Sequence, residues 1–246
     1  MLAIIGGSGL SRLPGLDITH RQVMRTPYGE PSCPLSFGQI AGRQVIFLAR
    51  HGYGHSLAPH EINYRANIWA LAEIGVSGIL AVGSVGGIHP ELTTGTLAVP
   101  DQILDYTHSR AATFFEGPDQ PVVHVDFSYP YDATLRCRLL EAAATLAVPV
   151  HDGGCYAATQ GPRLETAAEI RRLGQDGADM VGMTGMPEAA LAREKHLPYA
   201  TLAVVANRAA GLNGAGVEID FQANQAAFLQ GLDQARRILV ACCSPI

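Results

Sequence analysis

Short apolar runs bounded by Gly, Pro or Asn recur along the chain and predict strands at Ala3–Ile5, Gln44–Ala49, Gly78–Val82, Thr96–Val99 and Tyr199–Ala206. Between several of them the period becomes helical. Leu135, Leu139, Ala142 and Leu146 follow a 4-3-4 spacing, as do Phe228, Leu232, Ala235 and Leu239. Asn63–Ile74 gathers Ile68, Trp69, Leu71 and Ala72 on a broad apolar face, and Ala167, Ile170 and Leu173 predict a further amphipathic helix. Strands alternating with helices predict an α/β fold, a sheet covered by helices on both faces with ligand loops at the strand ends. No repeat, low-complexity tract or long linker breaks the pattern, so residues 1–246 read as one domain.

Composition narrows the function. With 48% hydrophobic and 16% charged residues, intrinsic disorder is excluded. The 27 glycines among 246 residues exceed the usual share of about 7%, and without a collagen period they belong to turns and to close backbone approaches. A net charge of −5 with no Lys/Arg cluster argues against a nucleic-acid partner. No apolar run approaches the roughly 18 residues a bilayer requires, and the opening Met1–Ile5 run meets Gly6-Gly7 too soon for a signal peptide. Five cysteines without a C-x-x-C oppose a disulfide framework or a thiolate zinc site. The expectation is a cytoplasmic enzyme.

Four segments that follow predicted strands have the composition of anion sites. Gly6-Gly7-Ser8-Gly9 brings flexible amides and a hydroxyl, yet it lacks the last glycine of a dinucleotide fingerprint, the Gly-Lys-Ser/Thr of a Walker loop and the final glycine of Gly-x-Ser-x-Gly. Arg50-His51-Gly52 offers a permanently charged planar fork beside an imidazole. His51, His55 and His60 leave metal binding open, but no carboxylate stands by to orient them. Val82-Gly83-Ser84-Val85-Gly86-Gly87 reads as a strand running into a glycine-rich loop. Thr184 precedes a helix running to about His196 and suits either an ordinary N-cap, with Glu188 near the first turn, or an anion at a helix N-terminus. Jointly the four point to a bound phosphate.

These motifs, with Asn63-Tyr64-Arg65-Ala66-Asn67-Ile68-Trp69-Ala70-Leu71, Asp101-Gln102, Gln160-Gly161-Pro162-Arg163, Val181-Gly182-Met183-Thr184 and Pro187-Glu188, resemble the trimeric purine nucleoside phosphorylases, and most closely their methylthioadenosine phosphorylase branch. The resemblance spans nearly the whole chain. It implies a twisted central mixed sheet flanked by helices, phosphorolysis of a nucleoside with inorganic phosphate as co-substrate, no cofactor or metal, and a homotrimer with sites at subunit interfaces. It places the phosphate ligands at Ser8, Arg50, His51, Gly83, Ser84 and Thr184, and a methionine against the ribose at Met183. No covalent enzyme nucleophile is required.

Within that resemblance the base-binding stretch falls on Asn207, Arg208 and Ala209, with Asn207 and His51 as the catalytic positions. Adenine-reading members carry an Asp-x-Asp where this chain has Asn207 and Ala209. Members reading 6-oxopurines carry Asn there, and a Glu after Gly-Pro-x-Phe, where this chain has Glu165. The chemistry agrees: hypoxanthine offers N1–H to a carboxylate, whereas adenine N1 opposes it with a lone pair. Asn207 can donate to O6 and accept from N7–H. Glu165 as a helix-start residue and Asn207 as a strand-end turn are the plainer alternatives. Leu164 replaces the family's phenylalanine stacked on the base, so Tyr156 or another ring is expected to substitute. Ile219 falls where a 5′-hydroxyl reader has histidine and a methylthio reader an aliphatic, and His124 matches a residue lent by a neighbouring subunit. The substrate meeting both demands is S-methyl-5′-thioinosine. Inosine or guanosine phosphorolysis, methylthioadenosine phosphorolysis and, from another class, nucleoside hydrolysis remain the alternatives.

Overall fold

The computed structural model describes residues 1–243 other than 11, 12, 14, 119 and 215. Among these lie eleven strands and five helices. A mixed sheet runs in the order β2 (Asp17–Gln22), β3 (Leu35–Ile40), β4 (Arg43–Ala49), β1 (Leu2–Gly6), β5 (Gly78–Gly87), β10 (Met180–Gly182), β9 (Cys155–Ala158), β7 (Gln102–Asp105). It forks at β5, which also pairs along its length with β11 (Tyr199–Arg208); β11 then pairs β6 (Leu97–Val99), and β6 pairs β8 (Val150–Asp152). The mixed α/β expectation holds. The five expected strands form, at β1, β4, β5, β6 and β11.

The central strands are apolar throughout because both faces are covered. β1 is buried at all five positions, and Ile4, Ile5, Ile46, Leu48, Ile79 and Leu202 are fully enclosed. Helix α1 (Tyr64–Ile74) packs against α4 (Gly185–Glu194), while α2 (Ala133–Thr145) and α5 (Phe221–Cys243) pack on each other and on β11. The Asn63 side chain caps α1 by accepting from the Ala66 amide, and Gly75 closes it in the left-handed region.

Two departures from the sequence reading matter for the site. Residues 83–87 are not a loop: β5 runs on to Gly87, because β11 pairs it as far as Arg208↔Gly87 and β10 pairs Gly86 and Gly87 on the other side. Ladder bonds on both edges outweigh the poor strand propensity of glycine. The short strands β7, β9 and β10, three or four residues each, carry no readable period and exist only through their neighbours. β2 is exposed at every position and forms a polar sheet edge.

Candidate active site

The ends of β1, β4, β5, β10 and β11 open on one cavity of about 860 Å³, a size typical of small-molecule sites. Ser8, Arg50, His51, Gly83, Ser84 and Thr184 line it together, from four sequence-distant segments. The Ser84 hydroxyl donates to Ser8 O at 3.3 Å. Gly7 must lack a side chain, since a Cβ there would lie 2.9 Å from Arg50 Nη1. Thr184 occupies the N-cap position of α4, yet its hydroxyl makes no capping bond. Met186 in the first turn is extended, φ −119° and ψ 142°, so the helix starts irregularly.

Arg50 is 2% exposed and cannot rely on water. Its Nε and Nη2 donate to the two carboxylate oxygens of Glu188, each at 2.7 Å, and Nη1 donates to Val82 O at 2.8 Å. Three of five N–H groups are thereby used and two remain uncommitted. Burial opposes the guanidinium charge, but the Glu188 carboxylate, helped by Tyr199 and Tyr64, outweighs it and raises the pKa. Glu188 itself is fully buried and accepts a further bond from the Tyr199 hydroxyl, 2.8 Å. The sequence reading placed Glu188 in an ordinary first turn. Its partner lies 138 residues away, and only a carboxylate in Pro187-Glu188 without a local cation hinted at it.

His51 Nδ1 lies 2.8 Å from Leu57 O. A carbonyl only accepts, so Nδ1 carries the proton and Nε2 is left as the acceptor. Burial lowers its pKa from 6.5 to about 4, with Arg50 and His55 adding to the effect against the Leu57 bond. Between pH 6.5 and 4 the unfolded chain takes up a proton that the folded chain refuses. The stability held by neutral His51 is full above pH 6.5 and drains as pH falls toward 4. Relative to a His51→Gln variant, the parent should therefore lose about 2–3 kcal/mol of stability between neutral pH and pH 4.5. Urea denaturation across that range checks it, and parallel pH profiles would count against a neutral buried imidazole.

The opposite wall carries Pro162, Leu164, Glu165, Asn207 and Ala209. A β-bulge in β11, where the register shifts between Val205 and Asn207, turns the strand as it reaches the cavity. Asn207 is 6% exposed and spends one amide N–H on Arg208 O, 2.8 Å. Glu165 is not in the first turn of α3 (Ala167–Gln175): Thr166 caps that helix in a reciprocal capping box with Glu169. Arg163 forks onto Glu169 at 2.7 and 2.8 Å and, with the Thr166 amide, draws the Glu169 carboxyl down to about 2. Glu165 is thus free of helix duty and is held by the Thr159 hydroxyl at 2.6 Å. Met183, Ile219, Phe221 and Phe228 also line the cavity.

A family model described as the phosphorylase superfamily matches residues 1–244. The chain belongs to the phosphorylase superfamily. This phosphorylase is 58% identical over 209 residues to a probable S-methyl-5′-thioinosine phosphorylase of Pseudomonas syringae pv. tomato, covering 85% of each chain. It is 49% identical over 218 residues to a 6-oxopurine nucleoside phosphorylase of Pyrococcus furiosus, covering 87% of this chain and 81% of that one. Among solved structures it is similar to a methylthioadenosine phosphorylase of Schistosoma mansoni in complex with adenine, with a TM-score of 0.93 and 30% identity over 98% of this chain and 90% of that chain.

Three residues of this phosphorylase sit away from the cavity. Arg208 turns its guanidinium to the carbonyls of Ile88, His89 and Leu92. His124 is exposed in the connection between β7 and α2. Tyr156 cannot stack on a base in the cavity: it is 1% exposed, and its ring fills the space that Gly182 and Gly185 leave, where a Cβ on Gly182 would collide with its hydroxyl. The phenylalanine rings that do line the cavity are Phe221 and Phe228. No group of three or more His, Cys, Asp or Glu among the described residues is arranged to hold a metal ion.

Proposed function

We propose that this phosphorylase cleaves S-methyl-5′-thioinosine with inorganic phosphate, releasing hypoxanthine and 5-methylthioribose 1-phosphate. One observation carries the reading: a single cavity is lined by Ser8, Arg50, Ser84 and Thr184, an anion cradle, and by Glu165 and Asn207, a donor-and-acceptor pair for a 6-oxopurine. The relatives named for methylthioinosine and 6-oxopurine nucleosides support it.

In this reading phosphate is held by the two uncommitted Arg50 N–H groups, the Ser8, Ser84 and Thr184 hydroxyls and the Gly83 amide. Its remaining P–OH donates to His51 Nε2. A phosphate oxygen attacks C1′ as the bond to N9 stretches, the sugar passing through an oxocarbenium-like state above Met183. The electron pair of that bond goes to the purine. N7 takes a proton from solvent as the bond breaks; Asn207 accepts from the resulting N7–H and donates to O6, while the Glu165 carboxylate accepts from N1–H, which spreads the developing charge. Positioning supplies much of the rest, and no cofactor takes part.

Ile219, beside Phe221 and Phe228, suits an apolar 5′ substituent; burying one methylthio group there is worth about 1–2 kcal/mol. His124 would act in a neighbouring copy of a trimer, and Val122 and Val123 beside it, 76% and 40% exposed, are apolar surface for that neighbour to cover. The five free cysteines suit a reducing compartment and support a cytoplasmic setting for the reaction. Gln225, also lining the cavity, favours a second reading with a 5′-hydroxyl, inosine or guanosine phosphorolysis.

A phosphate-dependent ultraviolet assay on methylthioinosine, inosine and methylthioadenosine tests both. Methylthioinosine should lead in kcat/KM by at least tenfold, about 1.4 kcal/mol. Undiminished cleavage without phosphate would make the enzyme a hydrolase, and a methylthioadenosine preference would remove Glu165 and Asn207 from the base.

A further inference from the structure

We infer that Arg110 is a positioning residue of this active site, fixing the segment that carries Glu165 relative to the segment that carries Met183 and Thr184. The inference rests on the proposed function for what those segments do. Arg110 lies in the connection between β7 and α2 and does not itself line the cavity. Its five N–H groups meet six acceptors, one of them the Tyr64 hydroxyl, 3.3 Å from Nη1. Nε donates to Gln160 Oε1 at 3.1 Å; Nη1 to Met183 O and Met186 O at 2.8 and 2.6 Å; Nη2 to Thr159 O and Gln160 O at 3.2 and 2.8 Å. Four of the six are main-chain carbonyls, and these four belong to two different segments.

Those segments leave adjacent parallel strands. β9 and β10 are paired up to Ala158↔Gly182, and one further bond, Thr159 N–H to Gly182 O at 2.8 Å, holds the chains before they part. The first runs from Thr159 to Glu165, the second from Met183 into α4. Beyond the end of the ladder Arg110 supplies donors to both. On one side it grips Thr159, whose hydroxyl donates to Glu165. On the other it grips the carbonyls flanking Thr184 and Gly185. Gln160 Oε1 also accepts from the His108 amide, so the segment bearing Arg110 is itself tied to the first. A guanidinium is suited to this because its donors are planar and fixed, whereas an ammonium has three donors at one point. Both recognition elements, for base and for phosphate, are thus registered by one side chain that touches neither.

The test is Arg110→Lys, which keeps the charge and loses the fork, assayed on methylthioinosine and methylthioadenosine at varied phosphate. The ratio of the two kcat/KM values should fall by roughly tenfold or more, and the phosphate KM should rise by a similar factor, since displacements near 1 Å carry effects up to about a hundredfold. Equal loss on both nucleosides with an unchanged phosphate KM would mean that Arg110 only supports the fold, and would overturn the inference. Should Arg110→Lys fail to fold, Thr159→Val removes the hydroxyl that bonds Glu165 and also lies 3.3 Å from Gly182 O, and leaves every Arg110 bond in place. It should lower the nucleoside ratio and leave the phosphate KM as it is; an unchanged ratio is again fatal. Failure of the functional reading shows separately, in the parent enzyme lacking phosphate dependence or preferring methylthioadenosine. Calorimetric binding of inorganic phosphate then decides on Arg110: about tenfold weaker in Arg110→Lys supports it, and equal affinity does not.

Discussion

Glu165→Gln combined with Asn207→Asp should turn the base preference from 6-oxopurines toward 6-aminopurines. The Thr159 hydroxyl donates to Glu165 Oε1 at 2.6 Å, with Gly182 O a second acceptor at 3.3 Å, and a glutamine that keeps its oxygen on that hydroxyl places its NH₂ toward the base. That amide donates to the bare N1 of adenine and opposes the N1–H of hypoxanthine. At Asn207 a carboxylate accepts from N7–H and from the 6-amino group but can no longer donate to O6. Mispaired buried polar groups discriminate by up to about 10⁴–10⁵. The ratio of kcat/KM for methylthioinosine over methylthioadenosine should accordingly fall by at least about 10³. Each substitution alone should give part of the change, because each turns one hydrogen-bonding partner of the base from acceptor to donor or from donor to acceptor. Steady-state kinetics on the two nucleosides measures this, and a ratio within threefold of the parent would mean that the base binds elsewhere.

Glu188→Ala should give the largest loss of stability. Arg50 and Glu188 are 2% and 0% exposed, and removing one member leaves a buried guanidinium with Nε and one Nη2 proton unpaired, together with the Tyr199 hydroxyl. Breaking a buried pair in this way typically costs about 3–5 kcal/mol. Glu188→Gln should lose less, since its amide oxygen still accepts. Inorganic phosphate should stabilise Glu188→Ala if the anion reaches Arg50, and the rise in Tm with phosphate concentration should exceed that of the parent. Chemical denaturation with and without phosphate reads both effects. A loss below about 1 kcal/mol would show that Arg50 does not depend on Glu188.

How much of this was legible beforehand depended on whether the signal was local. β1 and β11 are continuous apolar runs, and α2 and α5 repeat leucine and alanine at helical spacing, so their periods survive in the chain itself. Ser8, Arg50, Ser84 and Thr184 were visible as anion-binding residue types at strand ends, and they line one cavity. β9 and β10 carried no signal, being four and three residues long with both edges paired. Nor did Tyr156 reveal itself: an aromatic residue near the base motif resembles a stacking ring, until packing seats it under Gly182 and Gly185.

The sequence by itself determined the alternation of strand and helix, the residue types able to hold phosphate and the hydrogen-bonding capacity of Glu165 and Asn207. Period, charge and hydrogen-bonding capacity are properties of side chains in order along a chain. The tertiary structure alone decided that Glu188 meets Arg50 across 138 residues, that the bulge before Asn207 turns β11 at the cavity, and that Arg110 joins two segments leaving neighbouring strands. Each of these is a meeting of groups distant in sequence, fixed by sheet order and close packing, which no local pattern encodes.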